Sequence, residues 1–295
     1  MTKPVIVKKK KATKWNERNF ITEVLIPSLF SRRGGQEHRP VFPKLKKGQL
    51  CLTWIGHASF LVQTPRHNIL IDPNWANWLL VIRRLRRAGL AIADLPNIDL
   101  VLITHAHFDH LNRRTLRQVA ARQPILVPVG VGNLVHDLGF EHVQEMNWWE
   151  TWQYHGLKIT FTPCKHWGAR VLMDRHRGYG GFCIEYEGRQ VYHVGDSAYF
   201  GGFKEIGARL APEITLMPIG AYEPPSFRDV HIGPEQAVTA FEELKSKTMV
   251  PMHFGTYRMS YEPLHEPAQR LLMAATKRKL LSKVRFLIEG MPQVF

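Results

Sequence analysis

The chain has 295 residues, 44% of them hydrophobic and 11% aromatic, which is enough for a sizeable buried core and excludes wholesale disorder. There are 40 Lys and Arg against 25 Asp and Glu, a net +15; residues 1–50 hold 13 of the basic and 3 of the acidic side chains. The rest of the chain is nearly balanced, so the charge predicts attraction to a polyanion through an N-terminal arm, toward a phosphate-rich membrane or a nucleic acid.

Three scattered cysteines, Cys51, Cys164 and Cys183, leave no disulfide framework or CxxC metal site to read, and a reducing cytosol is the expected compartment. The longest uncharged apolar runs, such as Trp75 to Ile82, fall short of the roughly 20 residues that span a bilayer. No apolar signal region follows the basic start, so the expected location is cytoplasmic, with peripheral contact at the membrane.

Residues 1–47 read as a basic arm and residues 48–295 as one domain without an internal linker. Short apolar runs bounded by turn residues predict strands at Leu50–Ile55, Ser59–Gln63 and Asn68–Ile71. Next, Trp75, Trp78, Leu79, Ile82 and Leu85 recur at helical spacing, flanked by Arg83, Arg84, Arg86 and Arg87. This predicts an amphipathic helix with two readings. Either it packs on the core with a solvated basic face, or it dips into lipid while its arginines meet phosphates, at about 1 kcal/mol per basic residue. Further strands are expected at Leu100–Ile103, Ile125–Pro128, His142–Glu145, Leu157–Thr162, Phe182–Tyr186, Gln190–Val194 and Ile214–Pro218. Helices are expected at Arg114–Arg122, from Gly233-Pro234-Glu235 to about Leu244, and over Glu266–Lys277. Strands clustered in each half with interspersed helices predict an α/β architecture of paired sheets with helices outside.

The segment Leu102-Ile-Thr-His-Ala-His-Phe-Asp-His-Leu111 ends an apolar strand in His105, His107, Asp109 and His110. A single histidine is usually a packed or solvated residue, but three within six positions beside an aspartate need a common cause. Alternate His105 and His107 can face one point, while Asp109 and His110 turn to a second, so the spacing suits two divalent ions. Imidazole and carboxylate donors without thiolate suit zinc foremost, and also iron or manganese. The remaining donors are sought in similar contexts of apolar strand followed by polar end: His166, Asp196 and His253.

With these residues assembled, the chain resembles the metallo-β-lactamase superfamily of αββα hydrolases. Within it the chain is most similar to the branch of N-acylphosphatidylethanolamine-hydrolysing phospholipases D. The likeness runs over residues 50–260 through WIGHASFLV (54–62), LPNIDLVLITHAHFDHL (95–111), TPCKHW (162–167), GDSAYF (195–200), MPIGAYEPPSF (217–227) and HIGPEQAV (231–238). The resemblance implies a four-layer αββα sandwich with two central mixed sheets. It implies that His105, His107 and His166 hold one metal, that Asp109, His110 and His253 hold the other, and that Asp196 bridges them. Asp72 would orient a ligand histidine from behind.

The implied activity is phospholipase D-like cleavage of N-acylphosphatidylethanolamine-type phospholipids. A hydroxide bridging the metals would be the nucleophile, and Asp109 or Asp196 would steer the attacking water or accept its proton. His57, His231 and Tyr222 sit in branch motifs and are candidates for a supporting shell or for substrate contact. The expected partners are the phospholipid and an anionic membrane surface, met through residues 75–87 and the basic arm; a homodimer is a further expectation. Two alternatives share the metal core: a lactonase acting on a soluble phosphorylated sugar acid, and a nuclease. The nuclease is disfavoured because only 55 residues lie between His110 and His166, too few for an inserted nucleic-acid domain.

Overall fold

A computed structural model describes residue 15, residues 18–171 and residues 174–295. The basic residues Lys3, Lys8 to Lys11 and Lys14 of the expected arm lie outside the described residues.

The first half builds one sheet. Strands β1 (Cys51–Gly56), β2 (Ser59–Gln63) and β3 (Asn68–Ile71) form an antiparallel meander, and a hairpin of β4 (Trp78–Leu79) and β5 (Ile82–Arg83) stands apart from it. Strands β6 (Leu100–Leu102), β7 (Ile125–Pro128) and β8 (Val143–Met146) then continue in parallel from β3.

The second half repeats the scheme with β9 (Thr151–Tyr154), β10 (Leu157–Thr162), β11 (Gly181–Tyr186) and β12 (Arg189–His193) antiparallel, then β13 (Ile214–Pro218) and β14 (Thr248–Met252) parallel. Strand β15 (Gln293–Val294) returns to pair with β1, so the sheet orders are β15-β1-β2-β3-β6-β7-β8 and β14-β13-β12-β11-β10-β9.

The period-two alternation of each strand decides the layers. Leu52, Trp54, Phe60, Val62 and Ile69 of the first sheet meet Ile159, Phe161, Phe182, Ile184 and Leu216 of the second in one central core. Their neighbours in register face outward: Leu61, Leu70, Val101 and Val127 pack under α2 (Arg113–Val119) through Leu116 and Val119. Tyr192, Met217 and Met249 pack under α3 (Gly202–Arg209), α4 (Pro234–Glu243) and α5 (Glu266–Lys277). The result is the expected helix, sheet, sheet, helix stack.

Residues 75–87 correct the expected helix. They form an extended loop and the β4–β5 hairpin, whose two-residue turn is Leu80-Val81. The basic residues are also largely spoken for. Arg83 donates to the carbonyls of Leu29 at 2.7 Å and Ser31 at 3.0 Å, and Arg86 pairs with Glu289. Arg84, 1% exposed, donates from Nη1 to Asn74 O at 3.0 Å and to the Tyr257 hydroxyl at 2.9 Å. Of the four arginines, Arg87 alone is exposed. Before the first sheet, a wide helical turn (Ile21–Leu25) runs into α1 (Ile26–Phe30), and Gly34 and His38 pair with Arg86 and Leu90.

Candidate metal centre

Every candidate ligand leaves the C-terminal end of a strand, and the two sheets bring those ends to one edge. At β3, Asp72 adopts a left-handed φ of 44°. Its carboxylate accepts the Thr104 amide at 2.7 Å, the Thr104 hydroxyl at 2.6 Å and His110 Nδ1 at 2.6 Å. The neighbouring parallel strand β6 thus hands its His-rich loop to an aspartate that fixes His110 with Nε2 facing the site. Asn74 holds the same loop from below, its Nδ2 donating to the carbonyls of Phe108 at 3.1 Å and Asp109 at 2.8 Å.

Past β10, His166 donates Nδ1–H to Val230 O at 2.8 Å, which leaves its Nε2 3.2 Å from His107 Nδ1. Past β12, Gly195 has φ 69°, and a Cβ there would lie 2.4 Å from Gly180 O; the glycine lets the chain turn and deliver Asp196. Past β14, His253 has φ 61°, and its amide donates to His57 O at 3.1 Å.

The ligand atoms converge in two clusters. His105 Nε2 is 2.9 Å from His107 Nδ1, while His105, His107 and His166 form one group within 4.8 Å. Asp109, His110 and His253 form a second, joined by His57, whose Nε2 lies 2.9 Å from Asp109 Oδ2. Asp196 Oδ2 stands between them, 3.0 Å from His253 Nε2, 3.3 Å from His110 Nε2 and 3.9 Å from both His105 and His166 Nε2.

Burial followed by the neighbouring histidines pushes His105 and His166 well below the ordinary imidazole range, so both rings are neutral and offer lone pairs. Burial would raise the Asp109 and Asp196 carboxyls, but the surrounding histidine charges and hydrogen bonds hold both well below the usual carboxylate range.

Three imidazoles that turn their nitrogens to one point can hold a cation between them. Nitrogens sharing one tetrahedral zinc at about 2.0–2.1 Å would lie about 3.3 Å apart, close to the separations found. Buried Asp196 Oδ1 and His110 Nε2 have no hydrogen-bond partner among the described residues, as expected of groups built for ions. The donor set therefore fits divalent metal ions.

Of the supporting candidates, His231 lines the cleft and joins His166 and Asp196 in a further group of ligand atoms that could hold a metal, its Nδ1 3.7 Å from Asp196 Oδ2 and unpartnered among the described residues. Burial and neighbouring His253 lower its pKa to about 4 despite Asp196, which leaves the ring neutral. His57 is buried against Asp109, with burial as the leading cause of a pKa lowered to about 3. Tyr222 turns away: it is fully buried and donates its hydroxyl to Glu266 at 2.9 Å, under α5. Sequence reasoning missed Thr104, Asn74, Arg84 and Tyr257, which carry no ligand pattern and act only through tertiary contact.

The cluster floors a cleft of about 260 Å³ with His107, Asp109, Asp196 and His231 on the polar side. Its walls are mostly apolar, with Leu79, Leu80 and Ile82 of the hairpin facing Phe108, Trp167 and Phe227, and Arg170 also lines it while donating to the carbonyls of Ala106 and Leu111.

Residues 67–254 match the β-lactamase superfamily domain, and the chain belongs to that superfamily. It is 30% identical over 268 residues to the N-acyl-phosphatidylethanolamine-hydrolyzing phospholipase D 1 of Caenorhabditis elegans, covering 83% of this chain and 75% of that one. It is 33% identical over 214 residues to a UPF0173 metal-dependent hydrolase of Rubrobacter xylanophilus, covering 70% and 82%. Among solved structures, the metallo hydrolase Igni18 of Ignicoccus hospitalis superposes with a TM-score of 0.64 at 27% identity over 84% of this chain and 98% of that one. The chain is a metal-dependent hydrolase of this superfamily.

Proposed function

We propose that the protein is a phosphodiesterase of the phospholipase D type. It hydrolyses N-acylphosphatidylethanolamine-like phospholipids to phosphatidate and an N-acylated amino alcohol. The observation that carries this reading is the cleft itself, a His/Asp floor under mostly apolar walls, which matches an amphiphile whose charged ester must reach the floor while its chains stay dry. The nematode relative that bears this activity in its name supports the same choice.

In this reading His105, His107 and His166 hold one ion, Asp109, His110 and His253 hold a second, and Asp196 serves both. Zinc suits these donors best. When bound, such ions supply Lewis acidity toward a phosphodiester and a water acidified to near neutral pKa.

The chain's own groups do the rest. Asp109 and Asp196, ionised at neutral pH, accept the proton of the attacking water and keep its oxygen aimed at phosphorus. His231, neutral and with Nδ1 unpartnered among the described residues, hydrogen-bonds the phosphate or the departing alcohol oxygen. His57 keeps the Asp109 carboxylate turned into the site. In the net step the water oxygen joins phosphorus, the P–O bond to the amide alcohol breaks, and the proton leaves with that alcohol.

The test is an assay of micellar N-acylphosphatidylethanolamine beside a lactone panel and single-stranded RNA, with and without chelator. Wild type should cleave the phospholipid alone, and Asp109→Asn should lose at least about 100-fold in kcat. Chelator-resistant turnover, or turnover of the lactone or RNA instead, overturns the proposal.

A further inference from the structure

The hairpin that walls the cleft breaks the usual rules for a two-residue turn. Such turns require positive φ and favour Asn-Gly or Gly, yet Leu80 stands here at φ 52°. A γ-branched residue in that region costs roughly 1 kcal/mol, and what it presents is apolar: Leu80 is 73% exposed and Val81 64%. Strained backbone that displays hydrophobic side chains calls for something to cover them.

The helical segment Ile21–Phe30 lies alongside. It buries Val24 and Ser28, while its outer face shows Ile21, Ile26, Pro27, Leu29 and Phe30, the last 85% exposed, with Thr22 as the sole polar exposed residue. A solvent-facing helix surface is ordinarily charged. The helix is fastened at both ends, with Phe20 edge-on to Tyr261 at 5.7 Å, and Arg83 of the hairpin donating to the carbonyls of Leu29 and Ser31. Arg83 thus ties the end of the helix to the hairpin.

Beside them Arg33 has its Nε buried without an acceptor among the described residues, and burial followed by the charges of Arg83, Arg87 and Arg84 lowers its pKa. A buried guanidinium nitrogen without an acceptor, in the field of other arginines, is stabilised by an anion such as a phosphate.

We infer that the outer face of Ile21–Phe30, the Leu80-Val81 turn and Arg33 form one docking surface for an anionic phospholipid bilayer, which brings the mouth of the metal cleft to the lipid. The apolar side chains enter the acyl boundary, and Arg33 with Arg87 meets lipid phosphates. The net positive charge of residues 1–50 has the matching sign. This inference rests on the phospholipid reading for its purpose but not for its measurement.

The experiment is flotation of the full chain with phosphatidylcholine vesicles, with or without phosphatidylserine, for wild type, Val81→Glu/Phe30→Glu and Arg33→Gln. Thermal unfolding and hydrolysis of a small soluble phosphodiester serve as controls, since none of these three residues lines the cleft. The double variant should lose at least about tenfold in vesicle partitioning with both controls unchanged. Arg33→Gln should lose binding on the anionic vesicles only. Equal partitioning of all three proteins overturns the inference, as does a double variant that turns a dimer into a monomer in light scattering while still floating. If docking falls as expected but no phospholipid is ever cleaved, the surface stands and the substrate reading fails.

Discussion

At the scale of single residues, the site is held by side chains that touch no substrate. Asp72 is the clearest case: it accepts three hydrogen bonds, two from Thr104 and one from His110, and so sets both the loop and the ring that faces Asp196. Asp72→Asn replaces one acceptor oxygen by a donor that opposes His110 Nδ1–H. Metal affinity should fall by about 10–100-fold, read by competition with a chromophoric chelator, and unchanged affinity would remove Asp72 from this role. Arg84 has a similar indirect part, since its guanidinium joins Asn74, which carries the Phe108 and Asp109 carbonyls, to Tyr257. The candidate ligands were legible because they crowd into strand ends. Asp72 was legible only through resemblance, and Asn74, Arg84 and Tyr257 were not, because their partners are distant in the chain.

At the scale of elements, strands with clean bounds, such as Ser59–Gln63, Asn68–Ile71, Leu157–Thr162 and Ile214–Pro218, were readable as apolar runs between turn residues. Others were hidden for physical reasons. Helix α3 carries Gly202 and Gly207, poor helix formers; Gly207 permits a close approach to α4, where a Cβ would lie 2.2 Å from Glu243 O. The edge strands β9 and β15 are short and partly exposed, so they lack a buried pattern.

The β4–β5 hairpin was misread because Trp75, Trp78, Leu79, Ile82 and Leu85 mimic a 3.6-residue period, while its turn has none of the usual turn residues. That anomaly gives a prediction at this scale. Replacing Leu80→Asn with Val81→Gly suits the turn and should leave stability unchanged or raise it by up to about 1 kcal/mol in denaturant unfolding, while vesicle partitioning falls. A loss of stability with undiminished partitioning would contradict the functional account of the strain.

At the scale of the whole molecule, two sheets bring the C-terminal ends of β3, β6, β10, β12 and β14 to one edge, and that convergence makes a metal centre from residues 72 to 253. The net +15 of the chain first pointed to any polyanion. Part of it proves structural, spent on Arg83, Arg84 and Arg86 contacts within the fold. No helix among the described residues is long and apolar enough to cross a membrane.

Oxygen-18 water tests the proposed hydrolysis of a phosphodiester at this candidate metal centre most directly. Metal-loaded protein turning over N-acylphosphatidylethanolamine should place one labelled oxygen in each phosphatidate and none in the released alcohol, with no product after chelation. Label in the alcohol, unlabelled phosphatidate, or product formation that survives chelation would contradict the account.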